Sequence, residues 1–228
     1  MTSTTGTANE LREPGDRESI KPEMRGVLHH WAALVAFGAT AVVIALAPSA
    51  RAMSAAAAHG LSLVTLLTVS ATYHRLDWLP HSRLWMKRAD HSAIFLLIAG
   101  TYTPVALLAL PTAIGFKMLA LVWAGAIAGI TQSLLWVKAP RLLVVLLYLS
   151  LGWAIIPFAS DVHRALSGVK LLLLYGGGIA YSLGAAAYGF KHPNPKPGVF
   201  GYHEVFHAMT LVASAMHFAL LVLLVRGR

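Results

Sequence analysis

The sequence predicts an all-α fold: a seven-transmembrane helical bundle with the N-terminus cytoplasmic and the C-terminus outside. Three observations predict it. Hydrophobic residues make up 57% of the 228 positions and charged ones only 12%, about half the charge of a soluble domain. The apolar residues gather in seven runs, each close to the length of about 20 residues that crosses a bilayer core. The basic residues fall mostly between those runs rather than inside them.

The elements follow in order. Residues 1–25 are polar, contain Pro14, Gly15 and Pro22, and lack the apolar core of a signal peptide. This stretch reads as a disordered cytoplasmic tail, leaving residues 26–228 as one seven-helix membrane domain. The first run is His29–Ala47, the second Ala52–Leu76 and the third Ala89–Leu110. The fourth is Ile114–Trp136, the fifth and shortest Leu142–Phe158, the sixth Val169–Phe190 and the seventh His203–Val225. Pro104 and Pro157 predict kinks in the third and fifth helices. Pro193, Pro195 and Pro197 predict a stiff, extended loop before the seventh. Gly125 and Gly129 form a GxxxG pair, which lets membrane helices approach closely.

Charge sets the orientation and excludes some functions. A net charge of +9 in a soluble protein would point to nucleic acid. Distributed between apolar runs, it fits the positive-inside rule instead. With the N-terminus inside, twelve of the 18 Lys and Arg fall on the inner side and six on the outer. No nucleic-acid partner is expected; membrane lipids are. The chain has no cysteine, so thiol catalysis, disulfides and thiolate ligands are excluded, and a metal site must use His, Asp or Glu.

Polar residues inside a bilayer are costly and mark function. Most of the 11 His do not qualify. His29 and His30 open the first helix and read as solvated interface residues, and His81, His163 and His192 read as loop residues. A different group shares one depth. His74 lies on the last turn of the second helix, with Ser70 four residues earlier. Asp90 starts the third helix, and His203 and His207 lie on the first turns of the seventh. In the orientation above, all five sit at the cytoplasmic end. Residues i and i+4 lie about 6 Å apart along a helix and on one face, so His203 and His207 can grip one ion and His74 can supply a third nitrogen. Three protein ligands plus a water is the open arrangement of a catalytic Zn2+ site, which activates that water near neutral pH. Asp90 could hold and deprotonate the water, and Ser70 could bond to Asp90, the water or a substrate oxygen. The bland alternatives pair Asp90 with Arg83 or Arg88 and turn Ser70 back onto its own helix.

Two further features compete for attention. His203-Glu204-Val205-Phe206-His207 also reads H-E-x-x-H, the metalloprotease motif in which the Glu is the base. Here it opens a membrane helix, Asp90 offers an alternative base, and Glu204 suits a helix first turn. His217 lies about 21 Å from His203 along the helix, too far for the same ion. It reads as a buried, hydrogen-bonded histidine with Ser214 as partner. His59 is also too far away.

In three blocks the sequence resembles the hemolysin III family, of the progestin and adipoQ receptor superfamily. They are Ser70-Ala-Thr-Tyr-His74, then Asp90 followed by Ala99-Gly-Thr-Tyr-Thr-Pro104, then His203 to His207 leading to Ala215-Met-His217-Phe218. The resemblance implies zinc near the cytoplasmic face of a multi-pass cell-membrane protein. It implies His74, His203 and His207 as ligands, with Asp90 and Ser70 at the water. The eukaryotic relatives add a link to lipid amide hydrolysis. Two functions are therefore expected: a membrane zinc hydrolase acting on a lipid amide or ester, or a non-enzymatic sensor or lipid-perturbing, haemolytic protein whose zinc is structural.

Overall fold

The computed structural model describes residues 22–227. The expected tail lies outside the described residues as far as residue 21. Its last four residues are described, and they are ordered by contact. Glu23 and Met24 donate backbone N–H groups to the carbonyls of Gly198 and Val199, at 3.1 and 3.2 Å.

Among the described residues, the helices are α1 (Val27–Ala45), α2 (Ala50–Arg75), α3 (Pro80–Leu108), α4 (Thr112–Leu135), α5 (Arg141–Gly152), α6 (Ala159–Ala165), α7 (Val169–Phe190) and α8 (Tyr202–Val225). A 3₁₀ turn, Ile156–Phe158, joins α5 to α6. Their starts are chemically marked. Ser49 caps α2 by accepting from the Ala52 N–H at 3.2 Å. Pro80 stands at the first turn of α3, and Pro111 and Pro140 directly precede α4 and α5. The loop before α8 is not simply extended. It folds back through an antiparallel bridge between Lys196 and Phe200, with Gly198 at φ 84° at the bend.

Seven helical stretches are long and apolar enough to cross a membrane. They match the seven runs, with two differences. The third helix begins at Pro80 rather than Ala89, because its polar first turns continue the helix without adding apolar character. The fifth span is a broken helix rather than a kinked one. The α-helix stops at Gly152, and Pro157 sits at the start of the 3₁₀ turn. A helix end at membrane depth leaves carbonyls without partners. Tyr102, buried in α3, donates its hydroxyl to the Gly152 carbonyl at 2.6 Å. Pro104, by contrast, lies within α3, which runs on to Leu108.

The helices α2, α3 and α8 touch one another pairwise at the centre. Small residues on α2 (Ala52, Ala55, Ala56, Gly60, Ala71) are buried and permit that closeness. By contrast, α1 buries only His29, Ala36 and Thr40. Its large apolar residues, such as Trp31, Val35 and Phe37, are exposed. In water such a surface would be a liability; in hydrocarbon it is what the solvent requires.

Tyr102→Phe removes the donor from the Gly152 carbonyl while keeping the ring. It should destabilise the protein by about 1–2 kcal/mol, read as a lower thermal midpoint of the purified protein in detergent. An unchanged midpoint would show that the helix break does not depend on this bond.

Candidate metal centre

The site forms where the last turns of α2 meet the first turns of α8 and a point nearly three turns into α3, so Asp90 lies well inside that helix rather than at its start. His74 and Ser70 are buried on α2, and His207 is buried on α8. Its neighbour His203 is half-buried. Close approach of the chain ahead of α1 closes one side. Gly26 has φ +74°, and a Cβ there would lie 2.9 Å from the His74 Cβ. Only a residue without a side chain fits that position.

Three imidazoles converge. The Nε2 atoms of His74 and His203 are 3.2 Å apart. Ring centroids are separated by 4.6 Å for His74–His203, 4.6 Å for His203–His207 and 5.1 Å for His74–His207. One ligand atom from each lies within 4.8 Å of the others, the arrangement of a group able to hold a metal ion. In a tetrahedral site with Zn–N bonds of about 2.0–2.1 Å, neighbouring nitrogens stand about 3.4 Å apart. The His74–His203 spacing is close to that edge. Two Nε2 atoms facing each other otherwise require one to be protonated and the other not; a shared cation satisfies both lone pairs.

The carboxylate is adjacent. Asp90 Oδ2 lies 3.8 Å from His74 Nε2, with 14% of its side chain exposed, and the Ser70 hydroxyl lies beside the carboxylate. Among the described residues, the only ion-pair partner of Asp90 within 4.0 Å is thus His74, not Arg83 or Arg88. All five of these residues line one cavity of about 1010 Å³, which continues past the site to Tyr102, Trp153 and His217.

The structure also separates what the H-E-x-x-H pattern joins. Glu204 is buried and forms an ion pair with Arg25. It also accepts from the Gly201 backbone N–H at 2.8 Å, at the start of α8. It anchors the chain ahead of α1 to the helix that carries two of the imidazoles. Its first-turn role is the one expected of it; the Arg25 partner has no signal in local sequence, the two being 179 positions apart.

Four histidine readings need correction. His81 and His163, expected in loops, lie in α3 and α6. His29 is not a solvated interface residue: it is 2% exposed and stacks on His207, with centroids 3.9 Å apart and planes 13° from parallel. It forms a buried fourth ring at the site. Its face toward α8 was hidden because the first-turn position alone suggested solvent. His217 is buried as expected, but its partner is the Leu174 carbonyl at 3.0 Å. Ser214 pairs instead with the Tyr181 hydroxyl at 2.8 Å.

A model of the haemolysin-III related family matches residues 18–218. The chain belongs to that family. It is 35% identical over 159 residues to a Bacillus subtilis (strain 168) protein named "Hemolysin-3 homolog", covering 70% of this chain and 71% of that one. It is 32% identical over 203 residues to "Hemolysin-3" of Bacillus cereus, covering 87% and 90%. Family and spans together make this haemolysin-III related chain a multi-pass integral membrane protein.

Elemental analysis of the purified protein should find one transition-metal ion per chain in the wild type and lose it in His207→Ala. Glu204→Gln should keep the ion but lower stability by about 1–3 kcal/mol, because a charged, buried partner is lost. Loss of the ion with unchanged stability would instead place Glu204 at the metal.

Proposed function

We propose that this protein is a zinc-dependent hydrolase of lipid amides or esters, with its site at the cytoplasmic end of the bundle. The observation that carries this reading is a carboxylate beside three convergent imidazoles at the wall of a long, largely apolar cavity. An ion held by His74, His203 and His207 supplies Lewis-acid polarisation of a carbonyl and of water.

The chain's own residues supply the rest. Asp90 is the general base: it takes the proton of a water attacking the carbonyl carbon. It then returns that proton to the departing nitrogen or oxygen as the C–N or C–O bond breaks. Ser70, beside the carboxylate, keeps it oriented. The apolar wall formed by Ile94, Ile98 and Val145 accommodates an acyl chain and excludes water from the reacting carbonyl. Three imidazoles would suit Zn2+, the ion that catalytic three-histidine sites hold.

Asp90→Asn should lower kcat for a fluorogenic ceramide-like amide by about 10²–10⁴-fold while the bound ion is retained. Equal turnover in both proteins would remove Asp90 from the mechanism. If no hydrolysis is detected with any lipid amide or ester, and His74→Ala sharply lowers thermal stability, the ion is a structural tie between α2 and α8.

The orientation has its own test, made simple by the lack of cysteine. Ser167→Cys should react with a membrane-impermeant maleimide in intact cells, and His192→Cys only after permeabilisation. The reverse pattern would put the site on the outer face.

A further inference from the structure

The inference concerns the polar end of the same cavity, and it rests on the reading that an acyl lipid occupies it. One face of α3 lines the cavity from end to end. Arg83, Lys87, Asp90, Ile94, Ile98 and Tyr102 all contribute to the wall, and they recur every three or four positions, so they share a side of the helix. At about 1.5 Å per residue, Arg83 lies roughly 10 Å from Asp90 toward the helix start, and Tyr102 roughly 18 Å away in the other direction. The wall therefore passes from cationic to acid–base to apolar.

The cationic end is in excess of its counter-charges. Arg25, Arg83, Lys87 and Arg141 line the cavity together with the carboxylates Asp77 and Asp90. Arg25 is paired with Glu204, and Asp90 lies beside His74. Among the described residues, no carboxylate comes within 4.0 Å of Arg83, Lys87 or Arg141. The contacts of Arg141 are neutral: the Tyr188 carbonyl at 3.4 Å, the Tyr202 hydroxyl at 3.5 Å, and the Tyr188 ring with its centroid 4.9 Å from the guanidinium carbon. These contacts orient the guanidinium without cancelling its charge. Interfacial lysines and arginines are ordinary in membrane proteins. Three of them on the wall of a lipid-sized cavity that also carries Asp90 and the imidazoles are not accounted for by orientation alone. Guanidinium and ammonium groups together suit a phosphate, the first by its planar fork and the second as a point charge. The volume, about 1010 Å³, is at the upper end of ligand pockets, about 300–1,000 Å³.

We propose that the cavity selects a lipid bearing a phosphate headgroup, seated among Arg83, Lys87 and Arg141, with its acyl chain running past Asp90 along Ile94 and Ile98. The phosphate sits on the polar side of the metal centre rather than on it. In this arrangement the three cations set specificity and take no part in bond breaking.

The test is equilibrium binding of two probes that carry no acyl amide or acyl ester, dodecyl phosphate and uncharged 1-O-dodecylglycerol, to the full-length protein in nanodiscs of neutral lipid. The wild type should bind dodecyl phosphate about tenfold or more tightly than dodecylglycerol. The Arg83→Gln/Lys87→Gln variant should lose most of that preference while its affinity for dodecylglycerol and its metal content stay unchanged. Excess inorganic phosphate should displace little of the bound probe. Equal affinities in the wild type would overturn the proposal, as would a preference that survives both the double variant and Arg141→Gln. Displacement by inorganic phosphate at matching concentration would mark a soluble-anion site and overturn it too. Because neither probe carries the acyl amide or acyl ester bond that the proposed hydrolase cleaves, the outcome is independent of that activity. Absence of turnover with a phosphate preference leaves this inference standing, and turnover without the preference leaves only the hydrolase reading.

Discussion

Two imidazole nitrogens, 129 positions apart in sequence, stand 3.2 Å apart in space, and that approach depends on how α2 and α8 meet. Neither helix carries enough charge to be drawn to the other through the low dielectric around them. What brings them together is apolar packing, with Ala52 and Ala56 of α2 against Leu221 and Val225 of α8, and α3 in contact with both. What keeps their ends in register is polar. The Arg25–Glu204 pair ties the chain ahead of α1 to the first turn of α8, and Gly26 lets that same stretch lie against His74. Glu204 closes the loop by bonding to the Gly201 N–H. The convergence of the three rings is thus held by contacts outside the rings themselves, as a preorganised centre requires.

The seven spans were legible because hydrocarbon leaves little choice: a run of about 20 apolar residues has to be a helix. Depth along those helices then singled out Ser70, His74, Asp90, His203 and His207, since alternating chain direction returns them to one end. What depth did not supply was azimuth between helices. His29 shares that depth too, yet its stacking on His207 depends on the rotation of α1 about its own axis, which so weakly amphipathic a helix does not reveal. The Arg25 partner of Glu204 was hidden for a related reason: it precedes the first span, in a stretch that composition assigned to the tail. The break in the fifth span was hidden because hydropathy continues unbroken through Trp153, Ala154 and Ile155. The backbone stops being helical just ahead of Pro157, which has no N–H to continue the ladder, and the freed Gly152 carbonyl accepts from Tyr102.

The cavity gives the polar residues a shared context. Its wall is charged at one end, carries Asp90 and the imidazoles next, and is apolar beyond. That order along a single helix face of α3 matches the order of parts in an amphiphile: headgroup, linkage, chain. Other polar groups along the bundle are satisfied locally, as where Trp153 donates to Ser182 at 3.0 Å and Tyr181 pairs with Ser214, because a buried polar atom left unmatched is expensive.

His203 and His207 ride on one rod and move together, while His74 rides on another. Side-chain rotation alone cannot open the set of three nitrogens without unpacking the rings around it; a change in tilt between the two rods can. For an ion held by all three rings, affinity and the tilt between the two rods would be linked quantities, each acting on the other with the same coupling free energy.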